Sequence, residues 1–176
     1  MQMSGKTALT TSANASMPWQ PILRRPDEGE QLLFKVGLMT FKATSAETDG
    51  HFALIETVLP PGASVEPHAH PEAEWWYVLD GDFQFVIGDE NAVVVVGPNS
   101  FISAPPHVRH SYAHLGKTAG RLLGMLLPGG DGGLETFFRQ VGVAVTNPSD
   151  VPDLDQPVTH LQAVIAARQR DTAHER

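Results

Sequence analysis

An all-β domain of antiparallel strands, folded as a sandwich or a barrel and followed by C-terminal helices, is what this sequence predicts. Three observations carry that expectation. Between Gln31 and Leu127 there are about eight or nine apolar runs of roughly four to seven residues, separated by Gly, Pro, Asp and Asn. No helix of about ten residues or more fits inside that span. Parallel strands need long crossover connections, usually helices, and none are available here.

The elements follow in order. Residues 1–28 are rich in Ser, Thr, Ala and Pro and read as a flexible arm, with Trp19 and Ile22 able to pin it to a neighbour. "QLLFKVGLMTFKAT" supplies one or two strands with a bend near Gly37. "HFALIETVLPPG" is a strand ended by a Pro-Gly turn. "WWYVLDG" ends in Asp-Gly, a hairpin signal, and "DFQFVIGDE" is its expected antiparallel partner. "NAVVVVG", "SFISAPP", "RHSYAH" and "GRLLGMLLPGG" complete the strands. "LETFFRQVG" is then a helix of about two turns between Gly133 and Gly142. "NPSDVPDLDQP" is a linker. "VTHLQAVIAARQR" is a second helix with Leu161, Ile165 and Arg168 on one face, and Pro157 suits its first turn. That helix is expected on the outside of the β domain or against a partner chain, and its last residues, "DTAHER", are expected to fray.

The 176 residues fit one domain. Twelve Lys+Arg stand against twenty Asp+Glu, a net charge of -8 that argues against nucleic acid or an anionic membrane as partner. There is no cysteine, so disulfides, thiolate nucleophiles and Cys-ligated metals are excluded. No apolar stretch reaches the roughly eighteen residues of a membrane span, and the N-terminus lacks the apolar core of a secretory leader. A soluble, cytoplasmic protein is expected.

Histidines and carboxylates carry the chemistry. His68 and His70 are two apart, which on a strand sets both side chains on one face within about 7 Å. Glu74 shares their parity, and Pro71 between them forces a bend that brings it toward the same centre. Glu66 and Glu72 flank these residues and either orient them or face solvent. A third histidine has to come from His107, His110 or His114, and His110 opens the strand-like run "HSYAH". Taken singly, a histidine is more often a surface residue than a ligand. Three His and one Glu suit Zn, Fe, Ni, Co or Mn, with positions left for water or substrate.

From Gly62 the chain reads five residues, His68, Ala69, His70, three residues, Glu74, six residues, Gly81. This resembles the first conserved motif of the cupin superfamily at every defining position. "GPNSFISAPPHVRHSYAH" resembles the second, with His110 as its histidine. It departs from the pattern where His107 replaces a glycine and His114 an asparagine, and Gly97 lies two residues too far upstream. A histidine at 107 implies a different turn or a strained left-handed residue. The likeness covers roughly residues 32–145, and "LPGGDGGLETFFRQVG" is similar to the tail of small single-domain cupins, some of which resemble flavonol-cleaving, quercetinase-type dioxygenases.

The resemblance implies a cupin-type antiparallel jelly-roll β-barrel with C-terminal helices. With the composition along the chain, it gives a flexible arm (1–28), a cupin barrel (29–147), and a linker with the last helix (148–176). It makes His68, His70, Glu74 and His110 the ligands of one divalent metal ion (Fe, Ni, Mn, Co or Zn), and Glu74 also a catalytic base. His107 is expected at the rim. His114 faces the interior if its strand stays regular, and otherwise closes the strand end. Trp76 has the parity of Glu74, while Trp75 and Tyr77 face outward. Phe83, Phe85 and Ile87 line one apolar face, and Phe41, Leu54, Val95, Leu123 and Met125 are core or pocket wall. Arg109 and Arg121 form no phosphate-binding cluster, so an apolar or aromatic small-molecule substrate is expected. The function expected is a metal-dependent dioxygenase on a small aromatic or flavonol-like substrate. The alternatives are a metal-dependent isomerase or lyase and a non-catalytic binding protein. Apolar outer faces, and the resemblance, point to a homodimer.

Overall fold

A computed structural model describes residues 20–130 and 132–174. Its elements are β1 (Glu30–Phe34), β2 (Gly37–Ala43), β3 (Ala53–Leu59), β4 (Ser64–His68), β5 (Ala73–Asp80), β6 (Phe83–Ile87), β7 (Val93–Val96), β8 (Phe101–Ala104), β9 (His110–His114), β10 (Gly120–Leu127), α1 (Leu134–Val141), β11 (Val143–Ala144) and α2 (Val158–His174). Most of the expected N-terminal arm, Trp19 included, lies outside the described residues.

The strands do not close into the expected jelly-roll barrel. They form a seven-stranded sheet, β11-β1-β2-β3-β10-β5-β8, and a four-stranded sheet, β4-β9-β6-β7. The two face each other across one core, to which Trp76, Ile55, Leu122 and Leu126 come from the larger sheet and Phe83 and Phe85 from the smaller. Each such side chain contributes about 1.5–3 kcal/mol by leaving water. Closure fails because the chain changes sheets where ladder hydrogen bonding stops. The passage from β4 to β5 contains Pro71, which has no N–H. The passage from β5 to β6 turns at Gly81, whose φ of 84° is open to glycine at no steric cost.

That second passage corrects another expectation. The Asp80-Gly81 signal does not join a hairpin: β5 pairs with β10 and β8, while β6 pairs with β7 and β9. The turn is a corner between sheets. A tight two-residue hairpin joins β1 and β2 instead, where Phe34 pairs with Gly37 around Lys35 and Val36.

Alternation sets the faces. Trp76 and Val78 are buried, whereas Trp75 and Tyr77 are 40% and 39% exposed. Of Phe41, Leu54, Val95, Leu123 and Met125, only Phe41 is buried core, and Val95 is 63% exposed. The inner positions belong to Ile55, Leu122 and Leu126, each one residue away from the expected one. With a period of two, one residue is the difference between core and surface.

α1 lies between Gly133 and Gly142 as its sequence suggested. Buried Glu135 fixes it, accepting the Ser45 N–H at 3.0 Å and pairing with Arg139 at 2.8 Å. α2 covers part of the outer face of the larger sheet. Leu161 and Ile165 pack there with Leu33 and Leu38. It runs to His174, through most of the stretch expected to fray. No helix of the described residues is long and apolar enough to cross a membrane.

Candidate metal centre

His68 ends β4, His70 sits in the connection to β5, Glu74 is the second residue of β5, and His110 opens β9. The cluster therefore bridges the two sheets, and His68 and His70 do not share one strand as their spacing suggested. A bulge makes this possible. Val65 pairs with Tyr112 but His68 pairs with His110, so β4 spends three residues where β9 spends two. The extra residue switches parity and turns His68 inward, opposite His110. Pro67 is tolerated there because β4 is an edge strand.

One potential ligand atom from each of His68, His70, Glu74 and His110 lies within 4.8 Å of all the others. The chain also selects which ring nitrogen is presented. His68 Nδ1 lies 2.9 Å from the Glu66 carbonyl and His110 Nδ1 lies 2.8 Å from the Val108 carbonyl. Each Nδ1 donates to its carbonyl, which turns Nε2 of both rings toward the cluster and, in the neutral imidazole, leaves its lone pair open to a ligand. His70 Nε2 lies 3.0 Å from Glu74 Oε2. His110 Nε2 lies 3.4 Å from the same oxygen, outside good hydrogen-bond geometry, and is a buried nitrogen with no partner. Buried polar atoms are rarely left orphaned. Three imidazoles and one carboxylate converging on such an atom fit a divalent cation, and the cluster is capable of coordinating one.

The electrostatics follow from this crowding. Burial raises the Glu74 carboxyl, but the neighbouring His110 and His70 outweigh it and hold it below the usual carboxylate range. Burial lowers the His68 imidazole, and His110 beside it adds to that effect. Burial also acts to lower His70, yet Glu74 and then Glu72 raise it above its ordinary value. Burial, with Glu74 nearby, pushes the Tyr112 phenol far up, so it stays protonated.

A cavity of about 270 Å3 opens on the cluster at His68 and Glu74. Its walls are largely apolar: Phe34 and Met39 from the first hairpin, Trp76 and Leu126 from the larger sheet, Phe137 and Phe138 from α1. Tyr112 of β9 also lines the cavity. α1 as a wall was not foreseen. Its Glu-x-Phe-Phe pattern was visible, but nothing local says that the helix folds back over the strands. His107 is exposed, with a left-handed φ of 63°, and its N–H donates to the His70 carbonyl at 2.8 Å. Asn99, where the second motif has its first glycine, is also left-handed at 69°. His114 is buried but does not line the cavity: its Nδ1 meets the Pro60 carbonyl at 3.1 Å and its ring packs on Phe83. Arg121 pairs with Glu56 on the outer face, and Arg109 is exposed.

Residues 55–126 match the family described as Cupin domain. A quercetin 2,3-dioxygenase of Bacillus subtilis is 29% identical over 123 residues, which cover 69% of this chain and 35% of that protein. The chain thus spans about a third of that curated relative. An RmlC-like cupin of Shewanella frigidimarina superposes with a TM-score of 0.55 at 18% identity, over 65% of this chain and 97% of that one, a likeness of fold alone. An oxalate decarboxylase of Bacillus subtilis superposes with a TM-score of 0.50 at 25% identity, over 65% of this chain and 32% of that one. Two facing antiparallel sheets and a three-histidine, one-glutamate cluster across their seam agree with the match of residues 55–126 to the cupin domain family: that stretch is a cupin domain.

Proposed function

We propose that this cupin is a metal-dependent dioxygenase acting on a small aromatic, flavonol-like substrate, with His68, His70, Glu74 and His110 holding one divalent ion of Fe, Ni, Mn, Co or Zn. The observation that carries the reading is the aromatic-walled cavity that opens on His68 and Glu74. A cavity of about 150 Å3 accommodates benzene. One of about 270 Å3 has room for a larger, substituted ring system. The similarity to a quercetin dioxygenase points the same way.

A divalent ion here would supply an electrophilic centre with coordination positions left for substrate, and Fe, Mn, Co or Ni would add redox chemistry that Zn does not. The protein's own part is proton transfer, orientation and exclusion of water. Glu74 is ionised and reaches the cavity, so its carboxylate oxygen can accept the proton of a substrate hydroxyl presented beside it. Tyr112 lines the same cavity and remains protonated, so its hydroxyl can serve as a donor for a substrate oxygen. Trp76, Phe137 and Phe138 offer ring faces and edges to an aromatic body and keep bulk water away from the proton transfer.

The likeness to an oxalate decarboxylase favours a second reading, a metal-dependent decarboxylase or other lyase. A small dianion needs several donors or cations around it. Lys35, Thr57 and Tyr112 are few against the apolar wall, so this reading ranks behind the first. We also propose that the chain forms a homodimer.

The test is elemental analysis of untagged protein followed by oxygen-uptake assays with flavonols and catechols. One metal per chain with oxygen consumption supports the dioxygenase. Carbon dioxide release from a carboxylic acid without net oxygen uptake supports the lyase. Metal binding with neither activity supports a binding protein.

A further inference from the structure

Glu72 spans two parts of the molecule that the proposed function uses separately. Its Oε2 lies 3.2 Å from His70 Nδ1, off the N–H axis, so the contact is one of charge more than of aligned hydrogen bonding. Its Oε1 accepts the Leu134 N–H at 2.9 Å, at the first turn of α1. That turn has no cap from its own N-cap residue, Gly133. Gly133 is what permits the approach: a Cβ there would stand 2.2 Å from Glu72 Oε1. The Glu72 side chain is only 12% exposed, so solvent does not readily substitute for either contact. Leu134, Phe137 and Phe138 of the same helix wall the cavity.

We infer that Glu72 is a positioning residue that couples metal occupancy of the histidine cluster to the order of the helix that walls the substrate cavity. The inference rests on the metal reading above. A cation on His70 Nε2 makes the Nδ1–H a stronger donor and draws the Glu72 carboxylate toward the ring. With that oxygen held, the other is fixed against the Leu134 N–H, where a negative charge also suits the helix dipole. Without the cation the carboxylate is free to leave either partner, and the first turn of α1 opens more often. Binding of the ion thus shapes the wall that contacts substrate.

Two single substitutions separate coupling from plain capping. Glu72→Gln keeps an oxygen for Leu134 but removes the charge that faces His70. Gly133→Ala displaces Glu72 Oε1 from the helix while keeping all four cluster side chains and the Glu72 charge, and the backbone at 133, with φ -91° and ψ -162°, accepts alanine. The full-length protein is prepared metal-free and loaded with Mn(II), and metal content is measured by elemental analysis. Affinity is measured by calorimetry and hydrogen exchange by mass spectrometry over residues 134–138. In the wild type, Mn(II) slows exchange there, on the order of tenfold. In Gly133→Ala the ion still binds at one per chain but the slowing is lost. In Glu72→Gln, Mn(II) binds about 10–100-fold more weakly while metal-free exchange of α1 stays as in the wild type.

Metal-loaded wild type with unchanged exchange at 134–138 overturns the coupling and leaves the metal reading standing. So does a full Mn(II) effect in Gly133→Ala, or wild-type Mn(II) affinity in Glu72→Gln. Wild type that takes up no metal overturns both readings, and elemental analysis tells that failure apart from the others.

Discussion

His68 and His110 each commit Nδ1 to a backbone carbonyl two residues upstream, and so each presents Nε2 to the centre of the cluster. This preorganisation makes the side chains unequal in what their loss should do. His110 is 2% exposed and its Nε2 has no partner of its own. His110→Ala should lower metal content and turnover together, which elemental analysis and an activity assay on one sample would show. Glu74→Gln keeps an oxygen near the imidazoles but removes the charge and most of the basicity. With three imidazoles left, metal affinity should fall modestly, while turnover should fall on the order of 10²-fold or more, since positioned proton transfer is worth about 10²–10⁴. A Glu74→Gln sample that keeps both its metal and full turnover would remove Glu74 from the role of base. The spacing of His68, His70 and Glu74 singled out side chains that the fold does gather within 4.8 Å of His110. Spacing did not reveal how Glu72 reaches two elements, because its second partner, Leu134, lies 62 positions along the chain.

Strands were readable as apolar runs, and their pairing was much less so. "WWYVLDG" and "DFQFVIGDE" look like two arms of a hairpin by every local signal, yet they lie in different sheets. The bulge in β4 was equally hidden: its cause is the register against β9, a long-range partner, and its effect is to reverse the parity of His68. Helices were easier, since α1 and α2 carry their own boundaries in Gly133, Gly142 and Pro157. α2 also shows what an element outside the cavity contributes. Leu161 is 1% exposed and packs with Leu33 and Leu38, on the face of the larger sheet away from the cluster. Leu161→Ala should cost about 2–5 kcal/mol of stability, as buried Leu truncations do. Metal stoichiometry should stay at the wild-type value, because α2 supplies no cluster residue. Denaturant unfolding with elemental analysis of the same preparation checks both halves. Loss of metal from folded Leu161→Ala protein would mean that α2 supports the centre after all.

At the scale of the whole molecule, the larger sheet is dressed unevenly. α2 covers the outer face near β1 and β2. Farther along, the register sets Met125 beside Trp75 and Leu123 beside Tyr77, with Phe101 next to Tyr77 on β8. These residues continue one outward apolar surface across three strands, and Phe101 is 59% exposed. β8 is also the free edge of its sheet, with backbone groups available for pairing. An open apolar face running to an unpaired edge is a surface that soluble chains normally cover. A second copy of this chain would cover it symmetrically. The opposing force is charge, since each copy carries -8. Association should therefore tighten as salt is raised from about 0.01 M to 0.15 M, where the Debye length falls from about 30 Å to about 8 Å. Light scattering across that range should give twice the chain mass, with dissociation on dilution most evident at low salt. Phe101→Glu would bury an unpaired carboxylate in the contact and should weaken association by at least about tenfold, an effect within the range of interface hot spots. Its fold and metal content should be unchanged, because the side chain points away from the cavity. A wild-type protein that is monomeric at every salt concentration, or a Phe101→Glu protein that dimerises as the wild type does, would show that this face is left open or meets something else.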